Sequence, residues 1–92
     1  MIVASQEGHV SIVDALLQSG ADVNIAANDG ATALYFAVES GHEAIVAALI
    51  QAGANVNCSN TFTGQTALST AIRKGFESIV ALLLQAGASY GR

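Results

Sequence analysis

Residues 41–57 read Gly-His-Glu-Ala-Ile-Val-Ala-Ala-Leu-Ile-Gln-Ala-Gly-Ala-Asn-Val-Asn, and this 92-residue chain contains that segment almost three times. An earlier version runs from Gly8 to Asn24, and a later one from Gly75 to Ser89. Gly8 to Gly41 and Gly20 to Gly53 are each 33 residues, while Gly41 to Gly75 and Gly53 to Gly87 are each 34. Self-similarity at such a period marks a stack of small helical units, in which each unit buries its apolar face only against its neighbours. The additional residue lies between Asn57 and Gly64, in the stretch Cys58-Ser-Asn-Thr-Phe-Thr63. Insertions are tolerated at loop tips, so this stretch locates an exposed edge of the stack.

The rest of the composition is consistent with one small domain. Hydrophobic residues make up 52% of the chain and charged residues 11%, far from the balance of a disordered segment. No apolar run approaches the roughly 20 residues needed to cross a bilayer, and nothing at the start reads as a signal peptide. Cys58 is the single cysteine and cannot form an internal disulfide, which fits a reducing, intracellular (cytoplasmic) compartment. The net charge is −4, and residues 1–72 contain six acids and no Lys or Arg. A nucleic-acid surface needs a basic stripe to neutralise phosphates, and an anionic membrane surface needs the same, so neither partner is expected.

Within one unit, Asp29-Gly30 signals a turn, and Thr32 stands at the N-cap position of a short helix through Ala33, Leu34, Phe36 and Ala37. There its hydroxyl is expected to accept from a free first-turn N–H. Ser40-Gly41 ends that helix. A second helix starts at His42-Glu43, carries Ile45, Val46, Leu49 and Ile50 on one face, and ends at Gly53. Ala54-Asn-Val-Asn57 is expected to lead out in extended form. Alanines at 33, 37, 44, 47 and 48 allow close helix approach, and neither helix is long enough to be stable alone.

Asp29-Gly-x-Thr-Ala-Leu, Gly41-His-x-x-Ile-Val and Leu49-Ile-x-x-Gly-Ala-Asn-Val-Asn57 resemble the ankyrin repeat, over essentially the whole chain. The resemblance implies an all-α solenoid of antiparallel helix pairs joined by β-hairpin-like loops, with about 2.75 repeats. These divide as a partial unit at 1–28 and units at 29–62 and 63–92, in a chain that starts mid-repeat, Met1 aligning with Leu34. The family's usual Thr-Pro-Leu-His reads Thr32-Ala-Leu-Tyr35 and Thr66-Ala-Leu-Ser69, and the usual hairpin aspartate is Ala27 in one loop and Asn60 in the other.

The residues carry no catalytic pattern. His9 and His42 occupy equivalent Gly-His positions without a ligand cluster around them, and are expected to pack or cap at the start of each outer helix rather than bind metal. Cys58 has no base placed beside it, and the acids occupy polar, unit-equivalent positions. Asn57-Cys-Ser59 matches a glycosylation sequon by accident of composition. Glu39 and Arg73 share a column of successive units and are expected to pair across the stack at little gain. No enzyme activity and no cofactor are expected.

The resemblance implies a protein partner, bound through the hairpin tips and the exposed face of the inner helices. Those positions are Ala26, Asn28 and Asp29, then Ser59, Asn60, Thr61, Phe62 and Thr63 on the tips. On the inner helices and beside them they are Ala31, Tyr35, Glu39 and Ser40, then Gln65, Ser69, Arg73 and Lys74. Phe62 is either a contact anchor or a ring folded back on the stack, and Tyr35, in place of the usual histidine, is a second contact candidate. Both ends of the stack look like cut surfaces, since the last outer helix reads Ile79-Val-Ala-Leu-Leu-Leu84 and the first begins Met1-Ile-Val-Ala. Two readings follow: a piece of a longer array, which includes a non-catalytic domain of a larger enzyme or effector, or self-association through uncapped ends.

Overall fold

The computed structural model describes residues 1–27 and 30–88. Six helices and one short hairpin follow in chain order: α1 (Ile2–Glu7), α2 (Val10–Gln18), α3 (Ala33–Ser40), α4 (Glu43–Gln51), β1 (Ser59–Asn60), β2 (Gln65–Thr66), α5 (Ala67–Lys74) and α6 (Glu77–Gln85). The inner helices α1, α3 and α5 lie side by side in that order, and the outer helices α2, α4 and α6 line up behind them. Each inner helix ends on a glycine in the left-handed conformation, Gly8, Gly41 and Gly75, whose N–H closes back on the last turn. Two residues later the outer helix begins, so a tight corner sets each pair antiparallel.

The core is one cluster running through the stack. Leu34, Val38, Ile45, Val46 and Leu49 of the middle pair are fully buried, as are Leu68 and Leu83 of the last pair. Helices of six to nine residues are marginal by themselves, so this shared burial is what stabilises them.

The exit from each outer helix differs from the extended run expected there. Val23-Asn24 and Val56-Asn57 form turns, because Asp22 Oδ1 accepts from Asn24 N at 2.9 Å and Asn55 Oδ1 accepts from Asn57 N at 3.0 Å. An Asp or Asn side chain that bonds the amide two residues on folds its own backbone into a turn. Asn24 Oδ1 then accepts from Asn55 N at 2.8 Å, tying the first exit to the second.

Candidate interaction surface

The inserted residue falls in a four-residue loop, Thr61-Phe62-Thr63-Gly64, that closes the β1–β2 hairpin, with Ser59 opposite Thr66 and Asn60 opposite Gln65. Asn60 organises this loop. Its Oδ1 accepts from Phe62 N at 2.9 Å and from Thr63 N at 3.3 Å, and its carbonyl accepts from Gly64 N at 2.7 Å. Thr63 Oγ1 accepts from Gln65 N at 3.2 Å. In the preceding loop the equivalent residue is Ala27, which has no side chain to do this. Across that turn Ala27 N donates to Ala31 O at 2.8 Å and Gly30 N donates to Ala27 O at 2.9 Å.

On that braced loop Phe62 is 78% exposed. Of the two sequence readings of Phe62, the structure has the ring standing out in solvent rather than folded back on the stack. Thr61 lies against the neighbouring loop instead: a Cβ added to Gly30 would come within 2.9 Å of the Thr61 methyl. Gly30 also holds φ at +80°, so glycine is required there twice over.

The remaining candidate positions sort by burial. Ala26, Ser40, Thr61, Thr63, Arg73 and Lys74 are exposed, while Glu39, Ser59, Asn60, Gln65 and Ser69 are half-buried. Asn28 and Asp29 lie outside the described residues. Ala31 and Tyr35 correct the sequence expectation: both are buried, Tyr35 to 2% exposure, and neither offers a surface to a partner. Tyr35 turns inward because the next helix supplies a partner. Thr70 Oγ1 on α5 donates to the Tyr35 hydroxyl at 3.4 Å, and the Tyr35 ring meets Phe36 edge-on with centroids 6.0 Å apart.

The two threonine caps behave differently. Thr66 Oγ1 accepts from Ser69 N at 3.0 Å, and Ser69 Oγ accepts in return from Thr66 N at 2.9 Å, a reciprocal capping box. Ser69, at the position of the family's usual histidine, therefore completes the cap. Thr32, by contrast, makes no side-chain cap bond, against expectation. Its Oγ1 is buried and makes no regular hydrogen bond, although it lies close enough to the Cys58 thiol to favour the thiolate slightly. Burial is the larger influence on Cys58 and pushes its pKa up.

Glu39 and Arg73 do not form the ion pair expected across the stack; instead Lys74 Nζ donates to the Glu39 carbonyl at 3.0 Å. The carbonyls at the end of a helix carry partial negative charge, which draws a cation to the backbone rather than to the flexible carboxylate. His42 acts in the same place one unit earlier, donating from Nε2 to the Gln6 carbonyl at 3.0 Å while its ring covers Gly8. His9 differs: its ring is exposed and meets Glu7 Oε1 at 3.3 Å. Among the described residues no group of three or more His, Cys, Asp or Glu side chains is placed to hold a metal ion, and no helix is long and apolar enough to cross a membrane.

The family model of ankyrin repeats, in three copies, matches residues 1–92. No curated protein matches the chain.

Proposed function

Because the chain belongs to the ankyrin repeat family, whose members are generally protein–protein interaction modules, we propose that it binds a protein partner with the β1–β2 loop as the principal contact and without catalysis of its own. The observation that carries this reading is Phe62. Phe62 is 78% exposed at a loop tip, where a partner can reach the whole ring, and aromatic anchors often dominate interface energy. The loop that presents it is held by hydrogen bonds around Asn60 and Thr63, so little ordering entropy is lost when a partner closes on it.

Thr61 and Thr63 flank the ring, and Arg73 and Lys74 at the end of α5 contribute the cationic part of the surface. A buried, reduced Cys58 fits a reducing compartment, the cytoplasm in the simplest case. The test is affinity capture followed by titration, comparing the chain with its Phe62→Ala form. Proteins retained by the first and lost by the second, with unchanged melting temperature, support the reading. Equal retention by both removes Phe62 from the interface.

A further inference from the structure

We propose that Cys58 is a latch for the β1–β2 hairpin: its sulfur, seated on the first turn of α3, holds the hairpin against the preceding unit, and a low-molecular-weight disulfide that captures the lifted sulfur keeps the hairpin released. The inference requires no partner at Phe62.

The seat is built from two units. Cys58 stands immediately before β1, is 6% exposed and belongs to the core cluster. Its sulfur faces the Thr32 hydroxyl and the Tyr35 N–H. Both mark the start of α3, Thr32 as its N-cap and Tyr35 in its first turn. Thr32 is likewise 6% exposed, its Oγ1 has no regular hydrogen-bond partner, and it makes no cap bond of its own. First-turn N–H groups lack partners inside their helix and carry partial positive charge, so they draw an acceptor. Sulfur is a weak one, and here it takes that place from the following unit.

Burial points to the same residue. Of residues 55–66, Cys58 alone is buried, and every hairpin residue from Ser59 to Thr66 is half-buried or exposed. The bonds that Asn60 and Thr63 make lie within the loop and move with it. Ala67 N donates to the Cys58 carbonyl at 3.1 Å and closes the base of the hairpin. Segments with little buried apolar surface open locally, well before the whole molecule unfolds. The hairpin is such a segment, and withdrawing Cys58 from its seat is the step that frees it.

While seated, the sulfur is shielded, and burial keeps it as the unreactive thiol. Once lifted it loses its proton to solvent. The thiolate then attacks one sulfur of the small disulfide: a new bond to Cys58 Sγ forms, the old S–S bond breaks, and the other half leaves as a thiolate. Cys58 is oxidised and the small disulfide reduced. The adduct cannot return to the seat. Tyr35 and Ala67 beside it are 2% and 0% exposed, and an interior packed this closely takes added atoms only by moving apart.

The test uses the 92-residue chain with dipyridyl disulfide, whose released thione is followed by absorbance, and with oxidised glutathione. The folded chain is expected to react at least about tenfold more slowly than the chain unfolded in urea, because reaction waits on opening. Urea below the unfolding transition should leave that rate nearly unchanged, since a local opening exposes little surface. In the glutathione adduct, amide exchange at Tyr35, Phe36 and Ala67 is expected to rise at least about tenfold while the amides of α4 and α6 keep their protection, and dithiothreitol should reverse the change. Cys58→Ser, or Cys58→Ala if the serine variant does not fold, should show no response to either disulfide. Reaction as fast as in urea, a rate that climbs as steeply with urea as global unfolding, an adduct that leaves those three amides protected, or one that exposes α4 and α6 equally would each overturn the proposal.

Discussion

Lys74 Nζ donates to the main-chain carbonyl of Glu39 at 3.0 Å, and one unit earlier the equivalent carbonyl, at Gln6, accepts from His42. The donor has changed residue type and position while the acceptor has not. Phe76 stands where a second histidine would, keeps the ring on Gly41 and cannot donate. Lys74, two residues before it, supplies the missing N–H.

Lys74→Met should therefore weaken the stack by about 0.5 kcal/mol, a small figure because the ammonium is exposed and screened. Restoring a ring donor with Phe76→His in that background should recover most of the loss. Urea unfolding of the single and double variants measures both, and an equal or larger loss in the double variant would show that the two donors are not interchangeable.

Tyr35 should respond as a core residue. Tyr35→Phe leaves the buried Thr70 hydroxyl without its acceptor and should cost about 1 kcal/mol. Tyr35→Ala should cost about 3–5 kcal/mol, in the range of buried aromatic truncations. Equilibrium unfolding gives the numbers, and a near-neutral Tyr35→Ala would contradict the burial described above.

The caps make an asymmetric pair. Thr66→Ala or Ser69→Ala should each lower stability by about 1 kcal/mol, with the double change costing less than the sum because the two bonds are reciprocal. Thr32→Val should be neutral or stabilising, since it replaces an unsatisfied buried hydroxyl with a methyl of the same shape. Thermal melts of the three single variants separate these outcomes.

Cys58 predicts a pH dependence. Burial raises its folded-state pKa above that of the unfolded chain. Both states hold the proton at neutral pH, so the thiol contributes nothing there. Above about pH 8.5 the unfolded chain ionises first and gains stability, so the fold weakens as pH rises through that range. Unfolding free energies at pH 7 and pH 9.5 should differ more for the native chain than for Cys58→Ala. An identical difference in both would remove the thiol from the account.

The glycine spacing located both helices of each pair and the corner between them, because those positions depend on local geometry that a residue type encodes directly. Asn57 to Gly64 gave the loop insertion, and the hairpin lies there. Tyr35 was misplaced because its environment is set by Thr70, 35 residues away, and a single helix has no signal for which side its neighbour covers. Thr32 and Thr66 look alike in sequence, yet only Thr66 makes the cap bond, and the return bond from Ser69 has no counterpart at Tyr35. The Glu39–Arg73 pair failed for a related reason: a column assignment fixes which residues are near, while the helix-end carbonyl decides which atom the cation chooses.

The uneven burial of the outer helices has a dynamic consequence. One residue of α2, Val13, is fully enclosed, against Ile45, Val46 and Leu49 of α4. In a stack held only by neighbours, opening begins where the fewest contacts must break. Amide protons of α2 should therefore exchange with solvent before those of α4.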